Sequence, residues 1–199
     1  MKMTKASAET TNPGAAAGPA SGLPQTVTRK AETQSGKLQV VEFLLGKEHY
    51  AVDLFDVREV VEYTSITQLP NTPSYMKGII DLRGEITTIV DLKERLNIIE
   101  KSDQPVENSR IIVLDEKITV AKTGILVDDV LAVSTFERSD IDDTSASSGR
   151  EDAAINGIIK KKIKEKEQER HELIIWIDIR HLLHDIGETW SPYNFSNGQ

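Results

Sequence analysis

The sequence predicts a mainly all-β protein with short helices, closed into two small barrels rather than one large sheet. Three observations predict it. About nine or ten short runs rich in Val, Ile and Leu follow one another from Leu38 onward, separated by polar or glycine turns. No strand–helix–strand alternation recurs, which argues against a parallel α/β sheet. So many strands in so short a chain close more readily into two small barrels than into one large one.

The elements follow in order. "LQVVEFLLGKEHYAVDL" reads as two strands around a hairpin at Gly46-Lys47-Glu48-His49. "DLFDVREVV" sets Leu54, Val57, Val60 and Val61 at helical spacing and predicts a short helix. Pro70 and Pro73 bracket a loop. "GIIDLRGEITTIVDL", 78–92, alternates apolar even positions with mostly polar odd ones, Ile79 and Ile89 excepted. If that parity survives the Arg83-Gly84 pair, the turn is a three-residue loop over 83–85, or the strand is continuous and kinked at Gly84; a two-residue loop would flip the second arm. "RIIVL" (110–114), "KITVA" (117–121), "TGILVDDV" (123–130) and "LAVSTF" (131–136) are further strand-like runs. A polar loop covers 139–152, "HELIIWIDI" (171–179) is the last strong strand, and "RHLLHDI" (180–186) reads as a terminal helix. Between the strands around Ile158 and Leu173, "KKKIKEKEQERHE" (160–172) is a long charged hairpin or a helical excursion.

Composition narrows the function. The chain has 199 residues, of which 38% are hydrophobic and only 5% aromatic, so aliphatic side chains must build the core. Residues 1–36, rich in Ala, Gly, Ser, Thr and Pro, are expected to be a disordered tail, and 188–199 a second tail. A formal net charge of −8 makes nucleic acid and anionic membranes poor partners. The absence of cysteine excludes disulfide and thiolate chemistry and is compatible with a cytoplasmic location. No apolar run reaches the ~18 residues that a spanning helix needs, and Lys2 and Lys5 precede no apolar stretch of a secretory signal.

Catalytic patterns are sparse. There is no glycine-rich phosphate loop and no GxSxG. His181 and His184 have helical i, i+3 spacing near Asp178 and Asp185, but a metal site needs more ligands. Asp128 and Asp129 are adjacent and would face opposite sides of a strand, so they form no dyad by themselves. A metal-dependent or other small hydrolase on a β-barrel is the alternative reading. Arg83 is the conspicuous polar residue, an always-charged fork at a turn, either paired with Asp81, Glu85 or Asp91 or turned toward a partner.

The segment "PNTPSYMKGIIDLRGEITTIVDLKERL" resembles the signature of the chemotaxis coupling proteins, the CheW family. The resemblance extends to "FLLGKEHYAVDLFDVREVVE", "GILVDDVLAV" and "IIWIDIRHLL", in the family's order, and so spans residues 37–187. It implies two SH3-like five-stranded barrels on a shared hydrophobic core. It implies a non-enzymatic adaptor without cofactor or metal, which binds the cytoplasmic helical hairpin of a chemoreceptor and the regulatory domain of the histidine kinase CheA in signalling arrays. The free protein is expected to be a monomer. A kinase of the same family would carry a phosphotransfer helix and an ATP-binding segment, and neither fits before residue 37 or after 187. Residue by residue, Arg83 and Gly84 match the motif arginine and its turn glycine, and Gly78 the glycine opening the segment. Val57 and Glu59 match the short-helix region associated with receptor contact. Val127, Val130 and Leu131 match the groove-lining run of the second lobe, where plain core packing would also explain such aliphatics. The chain departs from the motif at Asp81, where Asn is usual, at Thr87-Thr88, and in the 160–172 insertion.

Overall fold

The computed structural model describes residues 36–99, 105–119, 121–142, 154–165, 168–184 and 186. The expected tails, apart from Gly36, and positions 143–152 of the polar loop lie outside the described residues. Lys37–Leu45 (β1) and Glu48–Asp53 (β2) form the predicted hairpin, turned at Gly46 with φ +64°. Then come Val57–Glu62 (β3), Met76–Leu82 (β4), Glu85–Asp91 (β5), a one-turn helix Leu92–Arg95 (α1), Arg110–Leu114 (β6), Thr123–Val127 (β7) and Asp129–Glu137 (β8). Ile141–Asp142 (β9), Ile155–Glu165 (β10), Gln168–Ile177 (β11) and Ile179–Leu182 (α2) complete the described elements.

Two sheets result. One has the order β8-β1-β2-β11-β10-β9 and the other β3-β6-β7-β5-β4. The sixth strand of the first is the two-residue β9. Each sheet contains one parallel pair, β2 with β11 and β5 with β7, and is otherwise antiparallel.

Three apolar clusters explain the arrangement. Val40, Ala51, Ile159 and Ile174 fill the inside of the first lobe. Ile80, Ile89, Ile111, Val113 and Leu126 fill the inside of the second. The largest cluster joins the lobes: Val41, Phe43, Tyr50 and Val52 of the first pack with Met76, Val90, Ile112 and Ile125 of the second, and with Ile177, Ile179 and Leu183. Neighbouring residues of one strand therefore belong to different cores. Val40 points into its own lobe and Val41 into the seam, both essentially unexposed. Phe43 and Tyr50 stack across the seam side of β1 and β2 with centroids 6.0 Å apart, worth about 1 kcal/mol beyond area burial.

Three expectations need correction. The helix expected over 54–61 is a 3-10 turn, Leu54–Asp56, followed by strand β3. β3 alternates half-buried and exposed residues and pairs with β6 from Val57↔Leu114 to Glu62↔Arg110. Its β-branched Val57, Val60 and Val61 favour a pleated surface, and that packing overrides a spacing compatible with helix. The run "KITVA" is not a strand in its described part. Residues 116–118 are turn, and the Asp115 carboxylate accepts the Lys117 N–H at 3.1 Å. The turn between β4 and β5 has two residues rather than three, with Leu82 opposite Glu85 and Asp81 opposite Ile86. The second arm is accordingly flipped: Ile86 is 45% exposed while Thr87 is buried. β5 lies between β7 and β4 and buries Thr87 through Asp91 continuously, so alternation could not report its facing. The charged stretch 160–172 is the hairpin alternative, carried as a continuation of β10 and β11 with Glu165 opposite Gln168.

Candidate interaction site

Arg83 and Gly84 are the two central residues of the β4–β5 turn and both have positive φ, +57° and +86°. This is the backbone of a type I′ hairpin turn, whose twist matches that of the strands. Arginine in the left-handed region costs about 1 kcal/mol. The Asp81 carboxylate offsets that by accepting the Gly84 N–H at 2.6 Å. Only the acceptor half of an asparagine amide is used here, which is why Asp81 serves as well.

The turn presents Arg83 outward, with its side chain three-quarters exposed. Its guanidinium reaches Glu59 with Nη2 at 2.9 Å from Oε2 and Nη1 at 3.3 Å from Oε1. The pair is forked, two nitrogens on two oxygens, as arginine allows and lysine does not. Glu59 lies on β3 and Arg83 at the tip of β4, the two ends of the five-stranded order. They can meet only because the sheet curls on itself, so the pair spans the mouth of a barrel. Of the carboxylates expected to take Arg83 (Asp81, Glu85 and Asp91), none does: Asp81 caps the turn, Glu85 takes Lys122, and Asp91 takes Lys77.

Around this pair runs a ring of alternating charge. Arg58 pairs with Glu116 at 2.6 Å, and Lys122 lies between Glu85 and Glu116. The Lys122 hydrogen bond holds the Glu85 carboxyl below its ordinary range, and Glu85 in turn raises the Lys122 ammonium. Arg58, Glu59, Leu82, Arg83, Glu85 and Lys122 line one shallow pocket at this mouth. Nothing in the sequence points to Arg58, Glu116 and Lys122, and Glu85 is expected only as a partner for Arg83 itself. Arg58 lies 58 residues from Glu116 and Glu85 37 residues from Lys122, so no local spacing announces those pairs; Glu116 and Lys122 are near in sequence but joined through a turn with no regular period. Exposed ion pairs are worth less than about 1 kcal/mol each, so the ring orients side chains more than it holds the fold.

The remaining candidates fall elsewhere. Gly78 has φ +141°, and a Cβ there would lie 2.1 Å from the Thr67 carbonyl oxygen. It permits the two-way backbone bonding of Thr67 and Ile79, both at 2.9 Å, and offers no side chain to a partner. Val57 is half-buried against the shared core. Val127 is 1% exposed within that core. Val130 packs against it from β8, opposite Phe43, and Leu131, 42% exposed, begins an apolar margin that continues to Val133 at 60%. The structure thus brings Glu59, Arg83 and Gly84 together at one barrel mouth, and sets Val130 and Leu131 on the other lobe beside the seam.

A buried polar junction lies behind these surfaces. Asp128, 6% exposed between β7 and β8, accepts the Gly46 N–H at 2.6 Å and the Lys93 ammonium of α1 at 2.7 Å. It ties the β1–β2 turn of one lobe to the helix of the other. Asp178, a potential ligand near His181 in the sequence, instead caps α2 by accepting the His181 N–H at 3.0 Å.

Residues 39–187 match the family model described as a CheW-like domain. The chain is 34% identical to the chemotaxis protein CheW of Rhizobium meliloti (strain 1021) over 110 residues, 55% of this chain and 68% of that protein. It is 28% identical to the chemotaxis protein CheW of Thermotoga maritima over 150 residues, 75% of this chain and 90% of that one. In some curated relatives the match spans less than two thirds of the protein's length, 62% in two of them. Among solved structures, the scaffolding protein TtCheW from Thermoanaerobacter tengcongensis superposes with a TM-score of 0.58 at 34% identity, covering 73% of this chain and 92% of that chain.

Proposed function

This chain belongs to the CheW-like family, and on that premise we propose that it is a chemotaxis coupling scaffold which acts without catalysis. It holds a chemoreceptor's cytoplasmic helical hairpin beside the regulatory domain of the histidine kinase CheA, in the cytoplasm, and is a monomer until arrays assemble. The observation that carries the reading is the Arg83 turn. A charged, donor-rich side chain is held at a strained, rigid tip by a forked pair to Glu59, and three quarters of it remains open to a partner. Such a group is pre-organised, so little side-chain entropy is lost when a partner carboxylate or carbonyl meets it. The apolar margin of Val130 and Leu131 beside the seam suits the face of a helix. Signal transfer then requires that the contacts differ between two receptor states.

Binding of the purified chain to a receptor cytoplasmic hairpin and to the kinase regulatory domain, each alone, tests this. Arg83→Glu places a like charge opposite Glu59 at an exposed site. It is expected to melt within a few degrees of the parent and to lose about tenfold or more in affinity for one of the two partners. A folded Arg83→Glu that binds both partners like the parent removes the turn from the interface. A parent that binds neither removes the coupling function.

A further inference from the structure

The insertion between β10 and β11 has two unlike faces. On one side Lys161 reaches the fully buried Glu42 of β1, Nζ to Oε2 at 2.7 Å. On that same side Glu172, opposite Lys161, lies with Oε1 2.9 Å from Nδ1 of His49 on β2. The Lys161–Glu42 pair holds the hairpin base to the lobe on its inner face, with Glu172 close to His49 beside it. The register fixes the other face: Lys160 is opposite Leu173 and Lys162 opposite His171, and directly opposed residues share a side. Leu173, Ile175 and Ile177 alternate along that side, the last two packed on the shared core. Leu173 lies beyond the core and is 57% exposed. Lys160, at half exposure, is steadied by Asp142 at 2.6 Å, while Lys162 has no ion pair among the described residues.

We propose that this outward face, formed by Lys160, Lys162, His171 and Leu173, is a second docking surface that takes one acidic amphipathic α-helix. Lys160 and Lys162 are two residues apart on a strand, about 6.7 Å. Carboxylates at i and i+4 of a helix lie about 6 Å apart, so one helical turn matches both ammonium groups while an apolar side chain of the same helix covers Leu173. A chain of net charge −8 presents here two lysines, Lys160 shared with Asp142 and Lys162 exposed, beside an apolar residue. An anionic membrane would need a cluster of roughly four to eight basic residues, which the described outward face does not supply. The proposal rests on the coupling function above and names the receptor hairpin as the source of the helix.

The test measures binding of a receptor cytoplasmic hairpin to the full chain, to Lys160→Glu/Lys162→Glu and to Leu173→Ser, at two salt concentrations. None of these changes touches the Lys161–Glu42 pair or the His49–Glu172 contact, and thermal melting checks that each variant folds. The double variant is expected to bind about tenfold more weakly with a shallower salt dependence, and Leu173→Ser to weaken binding without changing that dependence. A parent that binds, with folded variants that bind equally, overturns this surface and leaves the coupling function standing. A parent that does not bind overturns both.

Discussion

Replacing Asp128 should separate the two lobes more than any surface change. The residue is 6% exposed and its carboxylate holds two charge-assisted bonds, from the Gly46 N–H at 2.6 Å and from Lys93 at 2.7 Å. Hydrogen bonds to a charged group contribute about 1.5–3 kcal/mol each. Breaking a buried pair by removing one partner costs about 3–5 kcal/mol. The Lys93 side chain is about one-fifth exposed, so water recovers part of its loss, and Asp128→Ala is expected to cost about 2–4 kcal/mol. For a domain of this size that lowers the melting temperature by roughly 5–15 °C. Asp128→Asn keeps an acceptor for Gly46 and loses only the ion pair, so it should cost about half as much. Urea denaturation of both variants and of Lys93→Met gives the numbers, and the double variant gives the Asp128–Lys93 coupling. If Asp128→Ala stays within about 0.5 kcal/mol of the parent, or Asn and Ala cost the same, the junction does not tie the lobes as argued.

Two further outcomes follow from local geometry. Gly78→Ala forces a Cβ against the Thr67 carbonyl at a φ of +141°; it should destabilise by about 3 kcal/mol or more, read by denaturation, while Gly84→Ala, with open space around its Cβ, should cost about 1 kcal/mol from its φ alone. Lys77 bridges Asp91 and Glu94, both at 3.0 Å. Burial works against its ammonium, yet the bonds it donates to Asp91 and Glu94 outweigh that and raise its pKa, while the Lys77 bond holds Glu94 low. A depressed carboxylate contributes stability that is present above its unfolded value and lost as pH falls through its folded value; a raised ammonium contributes stability below its unfolded value that is lost as pH rises through the folded one. The stability gap between parent and Lys77→Met should therefore be widest between the ordinary glutamate and lysine ranges, about pH 4.3 to 10.4, and close at both ends. A gap that is flat with pH would show that Lys77 acts through packing alone.

The fold class was legible because short aliphatic runs and turn residues carry it locally. Gly46 announced the first hairpin, and the long runs of β1, β6 and β11 became strands. The misread facing of β5 has a clear physical reason. In a two-lobed protein with a shared core, many strands are buried on both faces, and the period-2 signal vanishes where it was most needed. Thr87 through Asp91 are all buried, so the parity of 78–92 described β4 correctly and misled for β5. β3 had the converse problem: its valines fit a helical spacing, and only pairing with β6, about 50 residues away, decides for a strand. α1 went unseen because it is a single turn, although Asp91 caps it by accepting the N–H groups of Lys93 and Glu94.

The site divides along the same line. Arg83 and Gly84 could be singled out because a turn is a local event, and Asp81 is close enough in sequence to cap it. Glu59 could be matched only through the family's pattern, since nothing in its own neighbourhood points to residue 83. Their meeting depends on barrel closure, which brings the two ends of a five-stranded order to one mouth. A motif read along the chain therefore locates the donor and not the frame that aims it. The charges of Arg58, Glu85, Glu116 and Lys122 belong to that frame, because each neutralises a neighbour that would otherwise compete for the Arg83–Glu59 pair. Substitutions within this ring should thus alter partner affinity by re-aiming Arg83 while leaving the melting temperature nearly unchanged, whereas substitutions at Asp128 or Gly78 should do the reverse.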